Sequence, residues 1–437
     1  MVRLNSVFGV SSLELATYIT RSNLISQVED AFELKRQLII HGNSKQGKTT
    51  LINKILNEDK KLTIYCEPTF DILALLTQIL KTIDFTLESV NYNNKSGEDS
   101  LKYFIKGKIP GIFEVGVEKQ KTTEKHEEDP LTQKQIDFQI SSAQDIANIM
   151  KKYFPQKIIV LENFHFLKDN VKHDFATMLR TFQDLGLLVV ILGVFKEADA
   201  LTQSMGDLQQ RIVTLTVEPW TDLEMNEIIS LGEKALNIDM SPIRGKIIEM
   251  SLGSVGILQD LCRYCCWAAD IRETCKTTVT LTSNQLDKAI IIFLDQGKSR
   301  FVNAIRSFGD SKQKTTQDGT KGYGMPYFLT LAVMTRINPQ KLKKGVHRSE
   351  LKKAILSLRN PPENLKQFES TLTQILMRLG IQQKNKKIDP PIFVYNQNAK
   401  MFYVTDHLFL FYLIHANLDN LAQDLALPPG FVRQNTP

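Results

Sequence analysis

The sequence predicts an α/β core with a parallel sheet between layers of helices. An all-helical segment and a small helical domain closed by a hairpin follow. Three observations predict this. Short apolar runs at Leu38–Ile40, Leu62–Cys66, Ile158–Leu161 and Leu187–Val194 alternate with stretches of helical period. From Thr221 to Phe293 only the helical period remains. The C-terminal region then carries helical runs and two β-rich runs, Ile392–Tyr395 and Met401–Val404, around Asn396-Gln397-Asn398.

A chain of 437 residues has room for two or three such domains, and 42% apolar with 23% charged residues is an ordinary globular composition. No apolar run approaches the ~18 residues of a membrane span, and the N-terminus has neither a signal-peptide core nor an A-x-A site. The expected compartment is the cytoplasm, with no membrane partner. Five cysteines in so long a chain do not make a disulfide framework. Cys262, Cys265 and Cys266 contain a C-x-x-C step, but no second Cys/His pair stands at a zinc-site distance. Buried core cysteines are expected there.

The strand at Leu38–Ile40 ends on His41. Gly42-Asn43-Ser44-Lys45-Gln46-Gly47-Lys48-Thr49 follows and matches G-x-x-x-x-G-K-[ST] at every fixed position. Thr50–Leu56 then has helical period. The spacing has a chemical reason. Gly42 and Gly47 allow backbone angles and close approaches that a Cβ would obstruct. The loop amides and the positive end of the next helix then face an anion. Lys48 supplies a charge to the β- and γ-phosphates, and the Thr49 hydroxyl is a Mg²⁺ ligand. The expected ligands are therefore ATP or ADP and Mg²⁺. They would be held by Gly42 through Thr50, and the core is a P-loop NTPase fold.

Leu24–Phe32 reads as a helix leading into the first strand. Tyr18–Arg21 before it is either an edge of the base pocket or a plain loop. A helix over Phe70–Ile83 follows the second strand. From Leu87 to about Ile136 the period fades, Glu118–Lys134 is highly polar, and Gly111–Val117 resembles one strand of a hairpin. An insertion in the core is expected at about 95–135. Ser142 is placed to cap a helix reaching Tyr153.

Ile158-Ile159-Val160-Leu161-Glu162 is an apolar strand ending on an acid, the pattern of a metal-holding strand in nucleotide hydrolases. Glu162 takes the Mg²⁺ position. Asn163 stands where a water-activating acid often lies, and an amide cannot accept a proton, so slow turnover is expected. His165 is either a substitute base or a hydrogen-bonded residue at a helix start. A helix over Phe175–Leu185 leads to the fourth strand. Asp207–Val213 precedes Leu215, Val217, Glu218, Pro219 and Trp220.

Further helices are expected at Ile243–Ser251, Val255–Ala268 and Ser283–Phe293. Ser311–Gly324 reads as a linker. Helices at Phe328–Ile337, Arg348–Leu358 and Phe368–Leu379, then the hairpin and a helix at Leu408–Leu418 capped by Asp406, follow winged-helix order. From Lys341 to Lys400 there are 13 Lys and Arg against four Asp and Glu, a net of +9 in a chain of net +6. The third helix offers Glu369, Ser370, Thr371, Thr373, Gln374 and Arg378. The positive charge lies on Lys341, Lys343, Lys344, Arg348, Lys352, Lys353 and the turn Lys384-Asn385-Lys386-Lys387. Those suit phosphates rather than bases. The partner of residues 341–400 is either double-stranded DNA or a protein. The domain boundaries are a core at 1–220, a helical lid at 221–308, a winged helix at 325–420 and a tail at 421–437.

With these residues in place, the chain resembles bacterial AAA+/STAND P-loop ATPases near the origin-recognition and archaeal-ATPase branch. GNSKQGKT, IIVLENFHFL, GVFKEADAL, GDLQQRI and the Glu218-Pro219-Trp220 turn carry the resemblance. It implies an α/β P-loop core, an all-helical lid and a C-terminal winged helix. It also implies a trans role for Arg211, which would reach the nucleotide of a neighbouring subunit in a homo-oligomer; the other reading of Arg211 is a surface salt bridge. Two family positions depart from the pattern. Gly193-Val194 lacks a polar sensor at the end of the fourth strand, and Gly256 stands where a lid arginine is usual, with Arg263 as a weaker substitute. Lys48, Glu162, Asn163 and Arg211 are the expected catalytic set, with Thr49 and Glu162 on Mg²⁺.

The expected function is an ATP switch that oligomerises and acts through DNA or a separate effector protein. The resemblance also points to mobile-element or antiviral defence systems. The alternatives are a nucleotide-dependent scaffold with little hydrolysis, and a DNA-loading factor for replication or transposition.

Overall fold

The computed structural model of the chain describes residues 1–9, 15–83, 86–93, 99–106, 142–193, 211–309, 314–315, 321–322, 324–358, 364–388 and 391–416. The expected strand at 111–117, the polar run at 118–134, Val194, residues 207–210 and the tail lie outside them. The chain divides into two compact units, Thr20–Glu218 and Met1–Ile19 with Pro219–Pro437.

The first unit is built on five parallel strands: β1 Gln37–His41, β2 Lys61–Tyr65, β3 Ile158–Glu162, β4 Val189–Gly193 and β5 Ile212–Thr216. Their order across the sheet is β2-β3-β4-β1-β5. Each apolar run expected to be a strand is one, and the fifth follows Arg211. The central strands β1, β3 and β4 are buried nearly throughout because both faces of the sheet are covered there, whereas the edge strands β2 and β5 expose Tyr65, Thr214 and Thr216. Ile39, Ile64 and Leu161 pack with the helices Ile72–Lys81, Ala143–Tyr153 and Asp169–Asp184. Leu38, Ile40 and Val160 face the other side with Val28, Leu51 and Ile52. The alternation along β1 is the period of two that a strand imposes. Ser142 caps its helix, accepting from Asp145 N. Residues Thr86–Asn93 and Asp99–Lys106 pair as an antiparallel hairpin at the start of the insertion.

In the second unit a helix over Asp222–Leu236 opens on a reciprocal cap between Thr221 and Glu224. Helices Arg244–Met250 and Val255–Ala268 follow. Cys262, Cys265 and Cys266 are fully buried in the last of these, as the apolar reading requires. Burial pushes the Cys265 thiol up to about 12. Residues 1–9 and 15–19 belong to this unit. Phe8 and Leu4 enter its core, and Thr17 Oγ1 donates to Val7 O and accepts from Gln259 Nε2.

The helix expected at Ser283–Phe293 runs much further, 27 residues to Gly309. Beyond it stand a helix at Met325–Thr335, a short helix at Pro339–Lys344 and the strand β6 Val346–His347. Helices Arg348–Leu356, Leu365–Met377 and Leu379–Asn385 precede β7 Phe393–Asn396 and β8 Met401–Val404, and helix His407–His415 closes the domain. The sheet order is β6-β8-β7, all antiparallel. The helices Met325–Thr335, Arg348–Leu356 and Leu365–Met377 with the three-stranded sheet follow winged-helix order, and the short helices Pro339–Lys344 and Leu379–Asn385 are additions to it. Sequence periodicity missed β6, because two residues carry no period. It also ran the third helix on to Leu379, where the structure breaks it at Arg378.

Candidate functional site

The site grows from the C-terminal edge of the parallel sheet. Strand β1 lies between β4 and β5, and the chain's next strand, β2, sits at the far edge. The sheet thus changes direction at β1, where an open α/β fold leaves a crevice beyond its strand ends. The octet occupies that position. Gly42 has φ +156° and Gly47 φ +87°. A Cβ on Gly42 would fall 2.7 Å from Val217 Cγ2, so the loop needs glycine there for backbone and for space. Gly47 immediately precedes the helix Lys48–Ile55.

Lys48 folds back over the loop, its Nζ donating to Gly42 O and Asn43 O, each at 2.7 Å. Thr49 Oγ1 donates to Glu162 Oε1 at 2.7 Å. The structure thus brings together the phosphate loop and the acid of β3, although one strand separates β1 from β3. Glu162 is 7% exposed. Burial raises its pKa, against the Thr49 hydrogen bond and the charges of Lys48 and Lys61. Cys66 beside it is pushed up to about 12, first by burial and then by the Glu162 charge.

Thr49 and Glu162 fit Mg²⁺ by donor type and by spacing. Both are hard oxygen donors, and neighbouring vertices of a Mg²⁺ octahedron are about 2.9 Å apart for metal–oxygen distances of about 2.0–2.1 Å.

Asn163 follows Glu162 in the left-handed region at φ +57°, and its carbonyl accepts from Phe166 N at 2.9 Å. Asn is among the few side chains that tolerate this conformation, so the turn itself favours asparagine at this position. His165 lies in the 3₁₀ turn Phe164–Phe166, its carbonyl accepting from Lys172 Nζ at 3.1 Å. Gly193 ends β4 directly beside His41. The sensor position is therefore in register with the loop and bears no side chain.

Arg211 sits at the opposite edge of the sheet. Its carbonyl accepts from Gln37 N, at the N-terminal start of β1. The length of β1, about 16 Å at roughly 3.3 Å per residue, separates it from its own phosphate loop. Its guanidinium pairs with Asp184. Arg263 belongs to the other unit, where it pairs with Asp260 at 2.7 Å and lies over the Trp267 ring.

Glu218, not assigned to the site from sequence, joins it, and Arg21, from the stretch expected to be either an edge of the base pocket or a plain loop, lies beside it. Glu218 Oε2 accepts from Asn43 N at 3.1 Å and Asn43 Nδ2 at 3.2 Å. Arg21 Nη1 donates to Val217 O at 2.6 Å. Strand pairing holds the signal for the first: His41 is in register with Thr216, so Asn43 and Glu218 leave the sheet in step.

A parallel five-stranded sheet flanked by helices, with the phosphate loop after its first strand and an acid ending the third, decides the fold. The first unit has an AAA+ P-loop NTPase core. No family model matches the chain, and no curated protein matches it in sequence. Among solved structures the chain is similar to Cdc6p from Pyrobaculum aerophilum, at 12% identity and a TM-score of 0.39, over 97% of this chain and 100% of that one. It is also similar to the Aeropyrum pernix ORC1 protein in complex with DNA, at 11% identity and a TM-score of 0.40, over 97% and 96%. A third is a STAND protein with a tetratricopeptide repeat sensor from Pyrococcus horikoshii, at 12% identity and a TM-score of 0.36, over 96% of this chain and 46% of that one. The AAA+ core is read from its own sheet order and loop geometry. Among the described residues no helix is long and apolar enough to cross a membrane.

Proposed function

We propose that the protein is an ATP-binding and ATP-hydrolysing AAA+ switch that assembles with copies of itself and engages DNA or an effector protein through its winged helix. One observation carries this reading: Thr49 at the end of a complete phosphate loop lies 2.7 Å from the buried Glu162. Lys48 is already at the loop and would exchange its two carbonyl acceptors for phosphate oxygens. The amides of the loop and of the helix start at Lys48 would face the remaining phosphate charge. Thr49 and Glu162 would hold Mg²⁺, which would supply positive charge against the charge that develops in phosphoryl transfer. Asn163 can orient a water but cannot take its proton, so turnover is slow.

Arg211 cannot serve its own loop from the far edge of the sheet. An exposed arginine at that edge is suited to a neighbour's nucleotide, and this supports assembly as a condition for hydrolysis. The LENFHFL run supports a place in a bacterial mobile-element or antiviral system. The test is steady-state ATP hydrolysis over a range of protein concentrations, with and without double-stranded DNA. A specific rate that climbs with both is expected. A flat, near-zero rate would overturn the switch.

The winged helix supports a second reading, a nucleotide-dependent scaffold that docks protein. Several of its cations are engaged internally. Lys341 pairs with Glu350 at 2.8 Å and Lys352 with Glu369 at 2.6 Å, while Arg348 donates to Thr373 at 2.6 Å. On the helix Leu365–Met377 and just beyond, Leu365, Met377 and Ile381 are exposed. DNA-induced stimulation of the rate separates the two readings, and it would also support a DNA-loading role.

A further inference from the structure

The Gly42–Asn43 peptide is gripped from both sides. Its carbonyl, Gly42 O, accepts from Lys48 Nζ at 2.7 Å, and its amide, Asn43 N, donates to Glu218 Oε2 at 3.1 Å. The same carboxylate oxygen takes the Asn43 side-chain amide. Glu218 is itself fixed. Its amide and carbonyl both meet Thr216 Oγ1, at 3.2 Å each. The preceding residue, Val217, donates to His41 O at 3.1 Å and accepts from Arg21 at 2.6 Å. Val217 also fills the space that Gly42 leaves.

The chain crosses from one compact unit to the other between Ile19 and Thr20 and again between Glu218 and Pro219. Arg21 and Glu218 stand beside those two crossings, and both are tied to the mouth of the phosphate loop.

We propose that Glu218 is a positioning residue of the phosphate loop. Its carboxylate holds the Asn43 amide, fixes the first turn of the loop for nucleotide, and couples the loop's shape to the segment leaving the core at Pro219. This rests on the nucleotide-binding reading above. When Lys48 leaves the Gly42 carbonyl for a phosphate, Glu218 still holds the amide of that peptide. What the loop needs from Glu218 is an acceptor rather than a charge, because a carboxylate close to a phosphate site repels the ligand. A glutamine, with its amide oxygen in the same place, keeps the tie and drops the repulsion.

The test uses the full chain with a fluorescent N-methylanthraniloyl ATP and Mg²⁺, titrated against wild type, Glu218→Ala, Glu218→Gln and Lys48→Ala, with melting temperatures measured without nucleotide. Glu218→Ala is expected to weaken binding about tenfold, the size of one lost hydrogen bond to a charged group. Glu218→Gln should bind within about threefold of wild type or more tightly. A Glu218→Ala protein that binds as wild type overturns the proposal. So does a Glu218→Gln protein that binds as weakly as Glu218→Ala, since a charge or general packing role would then be at work. Failure of wild type to bind, with no difference from Lys48→Ala, would instead overturn the nucleotide reading itself.

Discussion

Thr49 Oγ1 and Glu162 Oε1 lie 2.7 Å apart although 113 residues separate them in the chain. The contact joins the start of the helix after β1 to the end of β3, and it does so past the intervening β4. Placing an acid and a hydroxyl so closely leaves both oriented toward one point beyond the sheet edge. Thr49→Val keeps the volume and removes the ligand, and Glu162→Gln keeps the shape and removes the charge. Each is expected to lower ATP turnover at least about a hundredfold, in the range seen when one electrostatic contact to a transition state is lost. A coupled phosphate-release assay checks this. Lys48→Ala should abolish nucleotide binding in the same preparation.

Arg211 and Asp184 form an ion pair whose side chains are 31% and 54% exposed. Such a pair contributes no more than about 1 kcal/mol to stability. Arg211→Ala should therefore melt close to wild type and bind ATP as tightly as wild type. If Arg211 acts on a neighbour, turnover falls sharply at protein concentrations where the wild type assembles. Mixing Arg211→Ala with Lys48→Ala then restores part of the rate, because each supplies what the other lacks. No rescue on mixing would leave Arg211 as a surface ion pair.

Phe8 packs against the bare backbone of Gly232. A Cβ on Gly232 would lie 2.0 Å from Phe8 Cζ. Gly232→Ala is expected to cost about 1–3 kcal/mol through overpacking of a dense core. In a Phe8→Ala background the same change should cost little, since the ring is gone. Urea unfolding of the four proteins gives the coupling directly.

Asp406 caps the final helix, accepting from Leu408 N at 2.9 Å and Phe409 N at 3.2 Å, and pairs with Arg300. Asp406→Ala should cost about 1–2 kcal/mol. The loss should appear in a melting transition that reports on the winged helix, with ATP binding unchanged.

His407, next in the chain, is 9% exposed. Burial, with the charge of Lys343, lowers its pKa to about 4. The folded protein holds it neutral, whereas the unfolded chain protonates it near 6.5. Its contribution to stability is present above about pH 6.5 and is lost as pH falls toward 4, by about 3 kcal/mol in all. His407→Gln should flatten the fall in stability between pH 7 and pH 4.5 relative to wild type. Denaturation at several pH values measures both slopes.

The phosphate loop was legible in the sequence because its chemistry demands fixed residues at fixed spacing. Glu162 was legible because an acid directly after four apolar strand residues has few other uses. Its contact with Thr49 needed the sheet order, which periodicity does not encode. Glu218 was illegible for the same reason, since the Asn43–Glu218 pair exists only once β1 and β5 are in register. The helix Asp169–Asp184 starts six residues before its expected first residue, Phe175. Of the six residues before Phe175 only Val171 is apolar, and one buried position does not mark a period. The helix expected to stop at Phe293 continues because its polar stretch from Asp295 to Arg300 bridges two cores rather than ending one.

That helix, Ser283–Gly309, has a mechanical consequence. Leu286, Ala289 and Phe293 near its start belong to the core of the helical lid, while Phe301, Ile305 and Phe308 near its end belong to the core of the winged helix. One unbroken rod of about 40 Å at 1.5 Å per residue therefore has a foot in each. Phe411 of the last helix also lies in the lid core, its ring centroid 4.5 Å from that of Phe293, so the winged helix is bolted to the lid at a second place and the two are built to move as one body.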